Sequence, residues 1–141
     1  MECDFCSIKE RAIIRTEHAL AFLSNRPLLE GHILICPKRH IQKIDEISED
    51  ETRDILSIIK NLKPALCKSF RATGFNFGWN ENASAGQTIS HLHIHMFPRT
   101  DQDIKKIGHD PRQDIYRPSA QRPLANTSSL EKTAELIRKH L

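Results

Sequence analysis

His91-Leu92-His93-Ile94-His95-Met96-Phe97 alternates imidazole and apolar side chains without a break. Successive side chains of an extended strand point to opposite faces. The period of two therefore predicts a strand with His91, His93 and His95 on one face and Leu92, Ile94 and Met96 on the other. Neighbouring imidazoles would stand about 6.6–6.8 Å apart along it. The apolar face asks for burial, which would hold the row rigidly. The pattern takes this strand from Ile89 to Phe97, ended by Pro98.

Two chemistries fit such a row. His-x-His on a strand is a zinc chelate, so His91, His93 and His95 could together hold a catalytic metal. The other is the binding of a phosphate group. Gly86-Gln87-Thr88-Ile89-Ser90, just upstream, supplies a flexible backbone, an amide and hydroxyls suited to non-bridging phosphate oxygens. A strand that only bound metal would not need that loop.

Further upstream, Ala12-Ile13-Ile14, Ala19–Leu23 and Gly31–Cys36 read as short strands, with Asn25-Arg26-Pro27 as a turn and Pro37 as a stop. Ser48-Glu49-Asp50-Glu51 is a capping-box sequence. It opens a helix whose apolar face carries Ile55, Leu56, Ile58, Ile59, Leu62, Leu66 and Phe70. Pro64 predicts a kink or a break in it, and Gly74 its end. Phe75–Trp79 alternates as a strand. From Asp101 to Asn126 no period stands out, which predicts an extended tail or loops; Ser128-Ser129-Leu130-Glu131 then reads as a second capping box opening a short C-terminal helix. Strands, one long helix and more strands, without a crossover helix after each strand, predict an α+β fold. Its sheet would be mainly antiparallel, with the long helix packed on it.

The 141 residues suit one domain with its own core, and the 38% apolar and 28% charged residues are an ordinary soluble balance. A net charge of +3 suits anionic ligands, but no run of five Lys/Arg occurs, so small phosphorylated molecules fit better than a nucleic acid. No apolar stretch is long enough for a membrane span, and Met1-Glu2-Cys3-Asp4 is too polar for a secretory signal. The reading is a cytoplasmic protein. In a reducing compartment the four cysteines are not a disulfide framework. Cys36 and Cys67 read as small buried hydrophobes, and His18, His109 and His140 as surface histidines.

The sequence resembles the histidine-triad (HIT) superfamily of nucleotide hydrolases and transferases. The resemblance is carried by His91–Phe97, by Ala85–Thr88, by Pro98-Arg99, and by Gly31-His32-Ile33-Leu34-Ile35-Cys36-Pro37-Lys38-Arg39-His40. Cys3-x-x-Cys6 resembles the start of a zinc-containing bacterial subgroup, and the likeness covers residues 1–100, leaving 101–141 as a tail. It implies a HIT-like fold paired into a homodimer. It also implies that His93 attacks the α-phosphate to form a nucleotidyl-histidine, with His95 and His32 contacting the phosphate and supporting the transition state. Gly86, Gln87 and Thr88 would bind phosphate, and Asn80 matches a polar-loop asparagine. Cys3, Cys6, His40 and His91 would hold a structural Zn²⁺, and no catalytic metal is required. Where the family commonly has an acidic residue for the ribose hydroxyls this chain has Ser24-Asn25, so Ser24 is the residue left for that contact. Substrates of this kind are nucleoside phosphoramidates or dinucleoside polyphosphates; the alternative is a nucleotide-binding regulatory module with little turnover.

Overall fold

The computed structural model describes residues 2–115, 117–118 and 121–141. Five strands form one sheet in the order β1-β2-β3-β5-β4: β1 Ile14–Arg15, β2 Ala19–Leu23, β3 Ile33–Pro37, β4 Gly74–Gly78 and β5 Ile94–Arg99. Every neighbouring pair is antiparallel. Because β3 and β4 both run against β5, they run parallel to each other. The chain between them must cross back over the sheet. The 22-residue helix α1, Glu49–Phe70, makes that crossing.

Alternation then sorts the side chains. Ala19, Ala21 and Leu23 of β2, Ile33 and Ile35 of β3 and Met96 of β5 meet Ile55, Ile58, Leu62, Ala65 and Leu66 of α1 in the main core. Leu20, Phe22, Leu34 and Cys36, one residue out of phase, form a second cluster on the other face with Phe5, Ile8 and Ala12. His95 lies opposite Leu34 in the β3–β5 register, and so belongs to that second face. One sheet therefore buries its core on one side and presents imidazoles on the other.

The start of α1 is as the sequence predicts. Ser48 Oγ accepts from Glu51 N–H (3.1 Å) while the Glu51 carboxylate accepts from Ser48 N–H (2.8 Å). Its end is not: Arg71, in the left-handed region with φ 59°, caps the helix, and Gly74 already begins β4. Nor does Pro64 break α1, which runs on to Phe70 with the proline on its exposed side. Cys67, expected to be buried, is exposed, since its place on the helix turns it off the face that carries Leu62 and Leu66. Leu56, expected on the apolar face, is likewise turned out to solvent.

The histidine strand differs in its limits. β5 begins at Ile94 rather than Ile89, because the preceding residues are drawn to the segment after β3: Leu92 N–H donates to the Ile41 carbonyl (2.6 Å) and the His91 ring bonds the Pro37 carbonyl (2.8 Å). It runs through Pro98 rather than ending there. Pairing with β3 stops at Met96, so Pro98 stands where only β4 flanks it.

Residues after 100 are not an extended tail. α2, Asp103–Ile107, and a 3₁₀ turn at Pro111–Asp114 follow β5. They are tied to its end by Arg99, which donates to Asp103 (2.7 Å), Asp110 (3.3 Å) and Asn76 (2.7 Å). Helix α3, Thr127–Lys139, buries Ala134 and Ile137 in the main core. Its cap is Asn126, whose side chain accepts from Ser128 and Ser129 N–H, so Ser128–Glu131 lies inside the first turn rather than capping it. No helix among the described residues is long and apolar enough to cross a membrane.

Gly31 sets up the approach to the imidazole face. Its φ is +84°, and a Cβ there would come within 2.8 Å of both the Phe70 ring and Pro98. Gly31→Ala should therefore cost about 2–4 kcal/mol, from left-handed strain plus overpacking. Urea unfolding checks this; an unchanged midpoint would contradict the packing described.

Candidate active site

His93 is buried, and its ring orientation is set by the backbone two residues back: Nδ1–H donates to the His91 carbonyl at 2.7 Å. That bond leaves the Nε2 lone pair free. Burial lowers the His93 pKa below the ordinary histidine value, against the pull of the carbonyl bond, so the ring is neutral at pH 7.

His95 has the opposite polarity. Leu28 N–H donates to His32 Nδ1 (3.1 Å), which puts the His32 proton on Nε2, and that N–H donates to His95 Nδ1 (2.8 Å). The His95 proton must then sit on Nε2. Burial, His93 and Arg122 hold the His95 pKa down to about 3, and burial with His95 lowers that of His32 well below its usual value. The His93 and His95 rings, 5.0 Å apart between centroids, thus offer a lone pair and an N–H on neighbouring rings. Phe97 stacks parallel to His95 and against His32, fixing both.

His91 plays a different part. Its Nε2–H donates to the Pro37 carbonyl (2.8 Å), leaving Nδ1 unprotonated at 3.4 Å from Cys3 Sγ and 3.7 Å from Cys6 Sγ. His40 Nδ1 lies 3.5 Å from Cys6 Sγ. The four donor atoms of Cys3, Cys6, His40 and His91 all fall within 4.8 Å of one another. A tetrahedral ion with metal–sulfur bonds of about 2.3 Å and metal–nitrogen bonds of about 2.0–2.1 Å needs S···N edges of about 3.5 Å. The cluster could therefore hold a metal, and the Pro37 bond supplies the outer-shell partner that a ligating imidazole needs. This set takes in His91 without His93 or His95, so the row of three is divided between two sites. Phe5, between the two cysteines, packs edge-on against His93 (5.1 Å) and joins the sites.

His93 and His95 open on a cavity of about 670 Å³. Of the residues singled out in the sequence, Ser24, Asn80, Gly86 and Thr88 line it. Ser24 is buried, with Oγ accepting from Arg26 N–H (3.2 Å). Gln87 does not line this cavity: its side chain donates to the Gln42 carbonyl (3.2 Å) and accepts from Asn82 N–H (2.8 Å). His32 lies behind His95 rather than on the cavity wall. Sequence reasoning missed Arg11, Arg26, Arg117 and Arg122, which also line the cavity. The return of the chain after β5 brings the last two, and no local motif announces them.

A buried, backbone-oriented histidine stands beside a second one of fixed opposite polarity at the mouth of an arginine-lined cavity, an arrangement able to present both a lone pair and an N–H to an anion. The sequence matches the HIT domain over residues 6–102, and the chain belongs to that family. It is 28% identical over 99 residues to the asymmetrical bis(5′-nucleosyl)-tetraphosphatase of Schizosaccharomyces pombe, covering 70% of this chain but only 54%, about half, of that enzyme's length. It is 34% identical over 109 residues to adenosine 5′-monophosphoramidase of Candida albicans, covering 71% of this chain and 72% of that one. A Zn-bound histidine triad family protein from Mycobacterium smegmatis superposes with a TM-score of 0.73 at 25% identity, over 99% of this chain and 93% of the other.

The tautomers are directly measurable. Long-range ¹H–¹⁵N correlation spectra should show His93 protonated at Nδ1 and both His95 and His32 at Nε2. His93 protonated at Nε2 would contradict the assignment.

Proposed function

We propose that this chain is a nucleotide hydrolase or transferase in which His93 Nε2 attacks an α-phosphate. The observation that carries the reading is the Nδ1–H···O=C bond to His91, which aims an unprotonated Nε2 while the neighbouring His95 offers N–H. As the N–P bond forms, the anhydride P–O bond or phosphoramidate P–N bond breaks. An amine leaving group takes up a proton from solvent, replaced when water later attacks phosphorus and gives one up, and an anhydride departs as the shortened phosphate. Positive charge developing on the His93 ring is stabilised through the same carbonyl. Water then cleaves the N–P bond and restores the imidazole. Splitting one displacement into two lowers the barrier of each. His95 Nε2–H, with Gly86 and Thr88, would stabilise the phosphate oxygens, and Ser24 and Asn80 would position the rest of the nucleotide. Phe5, Ile8, Phe22 and Ile89 give the cavity an apolar wall suited to a nucleobase.

The activities named for the two relatives support dinucleoside polyphosphates or nucleoside phosphoramidates as the substrate class. We read the chain as one working unit, because the segment after residue 100 supplies part of the cavity wall. A cytoplasmic location follows the sequence reading. We further infer a homodimer: β4 is the sheet edge, and Phe77 and Trp79, each 46% exposed, leave apolar surface there for a second copy.

Zinc is the metal we assign to Cys3, Cys6, His40 and His91, since two thiolates and two imidazoles suit a closed structural site. Its role would be to pin the N-terminal arm, and with it Phe5, against His93.

His93→Ala should abolish turnover of diadenosine tetraphosphate and of adenosine 5′-monophosphoramidate while leaving bound zinc at one per chain. Loss of zinc with that change, or survival of turnover, would refute the assignment. His95→Ala should lower kcat by about 10²–10³-fold. Cys3→Ser/Cys6→Ser should lose the metal by atomic absorption and lower the melting temperature; retained stoichiometric zinc would contradict the ligand set.

A further inference from the structure

Arg11, Arg26, Arg117 and Arg122 line the cavity, with Asp4 as the one acid among the described lining residues, and Arg117 is paired with Asp114. Two of these arginines are locked together. Arg122 Nε–H donates to the Arg26 carbonyl at 2.8 Å, and an Arg26 guanidinium N–H donates to the Arg122 carbonyl. The strand of contact continues with Ala125 N–H donating to the Asn25 carbonyl (2.8 Å), so residues 122–125 run beside 25–26. Among the described residues neither Arg26 nor Arg122 forms an ion pair with a carboxylate. Asp114, whose charge reaches Arg122, is already engaged by Arg117 (3.0 Å) and by His109. Arg122 is also near enough to His32 and His95 to depress the protonation of both.

Two like charges held side by side repel, and an anion placed against both relieves that repulsion while gaining charge-assisted hydrogen bonds. The backbone bonds position the pair in advance, so little ordering remains to be done on binding. We propose that Arg26 and Arg122 form a subsite for a second phosphate group of the substrate, next to the phosphate that His93 attacks. The subsite deepens the nucleotidyl-transfer reading and rests on it for the position of the first phosphate. The second phosphate has two chemical sources: the next member of a phosphoanhydride chain, or a phosphate on the sugar. On this account substrates with two or more phosphates are preferred over a phosphoramidate, whose leaving group is uncharged or cationic.

Titration calorimetry on the full chain at low salt tests this with AMP, adenosine 5′-(α,β-methylene)diphosphate and adenosine 3′,5′-bisphosphate. At least one of the two bisphosphorylated probes should bind about 10- to 100-fold tighter than AMP, the range expected for one charge-assisted contact. A gain confined to the methylene diphosphate assigns the subsite to an anhydride chain, and one confined to the 3′,5′-bisphosphate to a sugar phosphate. A gain with neither overturns the proposal in the wild-type chain alone. Arg26→Gln/Arg122→Gln should erase the gain, so that neither bisphosphorylated probe binds that variant tighter than AMP does; a gain that survives both changes also overturns it. A clear gain without His93-dependent turnover would refute the nucleotidyl-transfer reading and leave the subsite standing. Turnover without a gain would refute the subsite alone.

Discussion

The hydrogen bond from His93 Nδ1–H to the carbonyl of His91 is the constraint on which the site depends. It selects one tautomer of a buried ring and so decides which nitrogen keeps a free lone pair. His91 itself is held on two further sides. Its Nε2–H is committed to Pro37, and its Nδ1 faces the thiols of Cys3 and Cys6. A disturbance at the cysteine cluster therefore reaches the His93 ring through the His91 backbone and through Phe5. A structural metal there would act on chemistry by rigidity, since the residue it binds is the one whose carbonyl aims the neighbour.

The second element of the site is a relay of fixed protons. Leu28 N–H, His32 and His95 form a chain in which each donor determines the next, ending in an N–H beside the His93 lone pair. Burial keeps these rings neutral, so the cavity's positive charge comes from arginine. That division of labour matters. Neutral imidazoles can attack and donate at neutral pH, while guanidinium groups, which stay charged, handle electrostatic attraction.

Much of this was legible in the sequence. The alternation at 91–97 placed His95 on the face away from α1, and the Ser48–Glu51 box marked where α1 begins. The four residues of the metal-capable cluster were implied by family resemblance, and the structure brings them together. What local pattern could not show were contacts between distant segments. The strand begins late because Leu92 and His91 bond to Ile41 and Pro37, about fifty residues away in the chain. The arginines of 117–122 were hidden for the same reason, since nothing in Pro-, Arg- and Gln-rich sequence reveals that it folds back beside Arg26. Asn126 was a readable cap that the competing Ser128–Glu131 pattern obscured.

The proposed chemistry turns on one bond, between a nitrogen of His93 and phosphorus. Acid-free quenching of the wild-type chain during turnover of diadenosine tetraphosphate, followed by peptide mass mapping, tests it most directly. An adenylyl increment is expected on the peptide carrying His93 and absent from His93→Ala. The same increment on another residue, or product formation with no adduct at any quench time, would contradict it.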